Sequence, residues 1–89
     1  MADYYSRRFG KNVWINLHAR RSMQIRGVDQ AMLERVFEGG EIKRKDDVHL
    51  WVYMHIDGRL DNLICAAAIE SDAVIVKTVM INWELEDEG

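Results

Sequence analysis

Proline is absent from these 89 residues and cysteine occurs once. With no Pro-rich linker and no internal repeat to divide it, a chain this long reads as a single domain, 1–89. Residues 1–11 read as a flexible arm and residues 84–89 as an acidic tail. Long hydrophobic runs are also missing: Leu63 to Ile69 is strand-sized, far short of the ~20 apolar residues that cross a bilayer. Met1-Ala2-Asp3-Tyr4-Tyr5 lacks the cationic start and apolar block of a signal peptide, so a cytoplasmic protein without membrane contact is expected. Cys65 cannot form an internal disulfide, and inside an apolar run it reads as a small buried hydrophobe rather than a nucleophile. There is no Gly-rich phosphate loop, no paired-Cys site and no His-Glu-x-x-His. His49 and His55 stand six residues apart on one strand face, roughly 20 Å in extended chain, too far to share an ion. No metal and no cofactor are expected.

The net charge of −3 hides a split: residues 1–45 carry ten Lys or Arg against five Asp or Glu, and residues 46–89 carry two against ten. Such polarity suits an anionic partner on one half, or halves that neutralise each other in the fold. The arm itself mixes Tyr4, Tyr5, Arg7, Arg8, Phe9 and Lys11, a composition that can stack on bases and neutralise phosphates.

The segment Val13-Trp14-Ile15 fits either a short strand or the start of a helix. Asn16 is a good N-cap for a helix from Leu17 to about Arg26, which Gly27 ends. Asp29 caps a second helix, with Val28 and Leu33 as a hydrophobic staple, a stripe of Met32, Leu33, Val36 and Phe37, and Gly39-Gly40 as the stop. The period then changes to two. A short strand at Ile42 to Lys45 precedes Val48, Leu50, Val52, Met54 and Ile56 alternating with His49, Trp51, Tyr53 and His55. Asp57-Gly58 signals a hairpin turn, Leu63 to Ile69 a central strand, Ser71-Asp72 another turn, and Ala73 to Trp83 the last strand. The expected class is α+β: an N-terminal helical hairpin packed on a three- to four-stranded antiparallel sheet.

Within the first helix Ala19 and Met23 share one face, and His18, Ser22 and Arg26 form the adjacent row, with Arg21 nearby. His is the usual acid or base near neutral pH, and Arg stabilises charge on a phosphate. His18 and Arg26 stand two turns apart, about 12 Å along the axis, so one phosphate would need a third group from the sheet: Tyr53, His55 or Lys77. The alternative is that His18 packs near the helix start and Arg26 pairs with an acidic strand. Trp51 and Tyr53, flanked by His49 and His55, suit a stacking platform or a protein interface, because Val48, Leu50 and Val52 make the better core face.

The run His18-Ala19-Arg20-Arg21-Ser22-Met23-Gln24-Ile25-Arg26-Gly27-Val28 resembles the opening motif of the domain-of-unknown-function family 4258, His-Ala-x-x-Arg-Met-x-x-Arg-Gly-Ile/Val. Leu33, Val36, Gly39 and the strand Val74-Ile75-Val76-x-Thr78-Val79 are similar to it too. That family looks like a relative of small RelE/ParE- and BrnT-type toxins, which include ribonucleases acting on messenger RNA. The resemblance implies a metal-independent endoribonuclease with His18 and Arg26 at the matching catalytic positions, and an antitoxin as partner. Ser22 stands where the family usually has Arg, which removes a permanent charge. Two functions follow: a toxin-like endoribonuclease binding RNA through Arg21, Trp51, Tyr53, His55 and Lys77, or a non-catalytic protein-binding module or inhibitor that uses its acidic and aromatic sheet surface. A dimer through an unpaired edge strand is compatible with both.

Overall fold

Residues 11–15 resolve into a strand because their alternation suits one buried face: Val13 and Ile15 are buried while Trp14 is exposed. The computed structural model describes residues 2–56, 58 and 63–81. It runs β1 (Tyr4–Ser6), β2 (Lys11–Ile15), α1 (Leu17–Arg26), α2 (Gln30–Gly39), β3 (Glu41–Arg44), β4 (His49–Met54), β5 (Ile64–Glu70) and β6 (Val74–Ile81). Both caps work as the sequence suggests. The Asn16 side chain accepts from the Ala19 amide at 2.8 Å and Asp29 from the Met32 amide at 2.9 Å, each satisfying a first-turn donor. Gly27 takes the left-handed conformation at φ 68°, and the Val28 amide returns to the Met23 carbonyl, closing α1.

The arrangement of these elements differs from the expected helical hairpin on a small antiparallel sheet. The sheet has six strands in the order β1-β2-β6-β5-β4-β3 and is mixed, since β2 pairs parallel with β6 while every other pair is antiparallel. The helices pack on different strands instead of on each other: α1 lies along β6, and α2 over β4 and β5. Turn signals report only neighbours in sequence, whereas β2 meets β6 from some sixty residues away. Residues 4–6, read as part of a flexible arm, pair with β2. Glu38 on α2 anchors that hairpin, accepting from the Ser6 hydroxyl at 2.6 Å, the Arg8 amide at 3.0 Å and the Tyr4 hydroxyl at 3.2 Å. Arg8 in turn donates to the carbonyls of Phe37 and Gly40, placing a cation at the negative end of α2.

One core results. Val13, Ile15, Leu50, Val52, Ile64, Ala66, Ala68, Val74, Val76 and Val79 point to the helices, which contribute Ala19, Met23, Leu33, Val36 and Phe37. Leu33, Val36 and Phe37 are fully buried, each worth roughly 1.5–3 kcal/mol of transfer free energy. At the end of α2 the chain passes directly into β3 against β4. A Cβ on Gly40 would lie 2.5 Å from the Val36 carbonyl oxygen and 2.6 Å from that of Tyr53, so only glycine fits.

One connection is longer than its turn signal alone suggests. Met54 pairs with Ile64, so residues 55–63, which contain the Asp57-Gly58 turn signal, connect β4 to β5. Of that turn, Gly58 takes φ 88° and Asp57 lies outside the described residues. The stretch 82–89, including the end of the expected last strand and the acidic tail, lies outside them as well.

Candidate functional site

The α1 row is built first by sequence and then committed by packing. β2 pairs with β6 only over Val74–Val76, and α1 takes over that edge of β6 where β2 stops. The Ser22 hydroxyl lies 3.1 Å from the Thr78 hydroxyl and 3.0 Å from the His18 carbonyl, and Arg26 Nε donates to the Val79 carbonyl at 3.0 Å. Two of the three members of the row thus bind α1 to the sheet. His18 and Arg21 are exposed on the same helix, and the His18 ring meets no hydrogen-bonding partner among the described residues.

Trp51 and Tyr53 point the other way. Their strand neighbours Leu50 and Val52 are buried under α2, so the sheet separates them from the core and the plane of β4 carries them to the face that, among the described residues, no helix covers. The pairing registers place side chains on that face in three rows. The first runs Trp14, Ile75, Ile69, His49, with Lys45, whose amide donates to the His49 carbonyl, at its end. The second holds Ala67, Trp51 and Lys43, and the third Met80, Cys65, Tyr53 and Glu41. Trp14 is 40% exposed and Ile75 39%.

Lys77, two residues on from Ile75, lies on the same face beside an irregularity of β6. Ala67 pairs with Thr78 and Ala68 with Val76, which leaves Lys77 as the extra residue of a β-bulge. A bulge re-aims side chains. Here Thr78 reaches Ser22 on α1 while Lys77, with Trp51, Ala67, His49 and Lys45, lines a recess of about 160 Å³. Among the described residues neither Lys45 nor Lys77 has a carboxylate within ion-pair distance. His55 lies past the end of β4, beside Tyr53, Gly40 and Leu63 in a separate shallow depression, so it does not join Trp51 and Lys77.

The electrostatics of the two halves also resolve differently in space. Lys11 and Arg44 both pair with Glu70, and Arg20 with Asp3, so much of the basic half is spent on structure. The uncovered face carries Lys43, Lys45 and Lys77 against Glu41. Of the described acids of the second half, Asp47 and Asp72 are at strand ends, Asp46 stands beside His49 at the end of the β3–β4 hairpin, and Glu70 is paired with Lys11 and Arg44. The amides of His49 and Val48, with the His49 ring, hold Asp46 down at about 2. On the third row, a hydrogen bond to Glu41 together with burial raises the Tyr53 phenol, and burial pushes the Cys65 thiol up to about 12. A thiol so protonated is no nucleophile at neutral pH. No group of three or more His, Cys, Asp or Glu able to hold a metal occurs among the described residues, and none of the described helices is long and apolar enough to cross a membrane.

The motif spanning α1 and the strands that follow has a counterpart. The family described as Domain of unknown function (DUF4258) matches residues 15–81. The chain belongs to this family. β1 and most of β2 lie before the matched region. No curated protein and no solved structure is detectably similar to the chain. Trp14, Ile75, Lys43 and Lys45 are the residues of the uncovered face that sequence reasoning missed. The alternation Lys43-x-Lys45 was the available signal, in phase with Trp51 once the β3–β4 pairing is known.

Proposed function

We propose that this protein is a non-catalytic domain that binds single-stranded RNA on the uncovered face of its sheet. The observation that carries this is the interleaving of Trp14, Trp51 and Tyr53 with Lys43, Lys45 and Lys77 on one face. Trp14 is exposed and Trp51 and Tyr53 are half-buried; aromatic rings on such a face stack unpaired bases, and lysines track phosphates. Lysine is depleted from protein–protein interfaces, which favours a polyanion over a protein on this surface. Ser22 and the Nε of Arg26 are engaged with β6, so fewer donors of the α1 row are left for a phosphate, which supports binding without cleavage.

The test is a fluorescence-anisotropy titration with a 12-nucleotide oligouridylate at several salt concentrations. Three lysine contacts on a single strand give a slope of log K against log salt of about −2. Absence of binding at 50 mM salt refutes the reading. In that case, tight association with an antitoxin or other protein, weakened by charge reversal at Asp46 or Asp47, supports the protein-binding alternative. Cleavage, as the toxin resemblance implies, rests on His18, the one member of the row whose side chain stays exposed and unengaged. Growth arrest on expression that disappears in His18→Ala turns the binding domain into an endoribonuclease.

A further inference from the structure

We infer that the recess over Ala67 is the anchor point of the RNA, a subsite for one nucleotide with its base against Trp51 and its phosphate at Lys45 and Lys77. The inference rests on reading the uncovered face as RNA-binding, and it names where on that face the strand is held. Ala67 is the reason the recess exists. It is the smallest side chain of the second row, set between Trp51 on β4 and the bulged Lys77 on β6. β4 and β6 flank β5, so their backbones stand roughly 10 Å apart. That spacing admits one flat ring between an indole and the aliphatic stem of a lysine, and Lys stems do lie along apolar surface while their ammonium groups stay in water. The volume of about 160 Å³ is below the roughly 300–1,000 Å³ of pockets that enclose whole ligands, which matches one base with the rest of the chain outside.

The rim has the complementary charge. Lys45 and His49 stand at the end of the β3–β4 hairpin and Lys77 opposite. Asp46 also lies at this rim, but it is occupied: it accepts from the Val48 and His49 amides at 2.9 and 2.7 Å and contacts the His49 Nδ1 at 3.0 Å, which holds that ring in place. Lys77 stands two residues from Ile75 and shares its face by plain alternation; the bulge offsets it along β6, so that Thr78 is the Cα partner of Ala67 and Lys77 stands at the edge of the recess.

The experiment compares Trp51→Ala, Lys77→Gln, Ala67→Leu and Trp14→Ala with the wild type, each first shown to be folded by its thermal transition. The probes are the 12-nucleotide oligouridylate and the dinucleotide UpU. Loss of one base stack weakens oligonucleotide binding roughly 5- to 100-fold in Trp51→Ala. Lys77→Gln lowers the salt slope by about 0.7. Ala67→Leu fills the recess with every contact group still present, and it too abolishes the shift that UpU causes in the Ala67-adjacent amides of an NMR spectrum. Trp14→Ala, outside the recess, leaves the UpU response intact. If the 12-mer binds but Ala67→Leu and Lys77→Gln bind it as the wild type does, the anchor is wrong while the sheet face stands. If the 12-mer does not bind at all, the reading of the face fails with it. Ala67→Leu and Lys77→Gln decide the matter even where Trp51→Ala does not fold.

Discussion

Glu70→Gln tests the electrostatic seam that holds the sheet's two ends together. Glu70 ends β5, its side chain only 14% exposed, and accepts Lys11 Nζ at 3.0 Å on one oxygen and Arg44 Nη2 at 2.8 Å on the other. Lys11 belongs to β2 and Arg44 to β3, each one strand beyond Glu70's own neighbours, so the carboxylate spans most of the sheet. Hydrogen bonds to a charged group contribute about 1.5–3 kcal/mol when well shielded, and exposed ion pairs about 0–1 kcal/mol. With the Lys11 and Arg44 side chains 31% and 48% exposed, the shielded figure has to be discounted. The pair of contacts is then worth about 1–2 kcal/mol, or roughly 5–15 °C in Tm for a domain of this size. Bonding to Lys11, with a further contribution from Arg44, outweighs burial and holds the Glu70 carboxyl below its ordinary value. A folded value below the unfolded one means stability that is present above pH ~4.5 and lost as pH falls through the folded value. The assay is urea denaturation of wild type and Glu70→Gln at pH 7, 5 and 3. The gap between them should be about 1–2 kcal/mol at pH 7 and should close toward pH 3. A gap of under ~0.3 kcal/mol at pH 7, or one that persists unchanged at pH 3, refutes the assignment.

Three further outcomes follow from the geometry. Gly40→Ala forces a Cβ onto two backbone oxygens at the α2–β3 junction, so it should cost over 2 kcal/mol in a denaturation curve despite the ordinary φ there. Arg26→Ala removes the bond from α1 to the Val79 carbonyl and should cost about 1 kcal/mol, whereas His18→Ala, exposed and without a ring partner among the described residues, should stay within ~0.5 kcal/mol. Cys65, fully buried with its thiol pushed up to about 12, should resist a thiol reagent at pH 8 until the chain is unfolded; fast labelling of the folded protein contradicts its burial.

Much of the candidate site was legible because strand alternation is a local signal. Leu50 and Val52 inward and Trp51 and Tyr53 outward follow from the two-residue period and the greater burial value of the aliphatic residues. Lys77 was legible as a cation near the sheet, but its position near Ala67 and Trp51 depends on the β4–β5–β6 pairing, which no single strand's pattern reveals. The α1 row shows the opposite case. The spacing of His18, Ser22 and Arg26 places them together on a helix face, yet the groups that Ser22 and Arg26 meet belong to β6, more than fifty residues away. A polar row read as a phosphate site turned out to contain two structural contacts.

By itself the sequence determined where helices start and stop, through Asn16, Gly27, Asp29 and Gly40, and which side of β4 is buried, since caps and alternation act over a few residues. Its single cysteine also excludes an internal disulfide. Only the tertiary structure decided that β2 lies parallel to β6, that α1 and α2 part company, that Glu38 and Glu70 gather the basic half into the fold, and that lysines from two separate segments flank Trp51. Those are long-range pairings. Their free energy comes from contacts between segments far apart in the chain, so no local pattern encodes them.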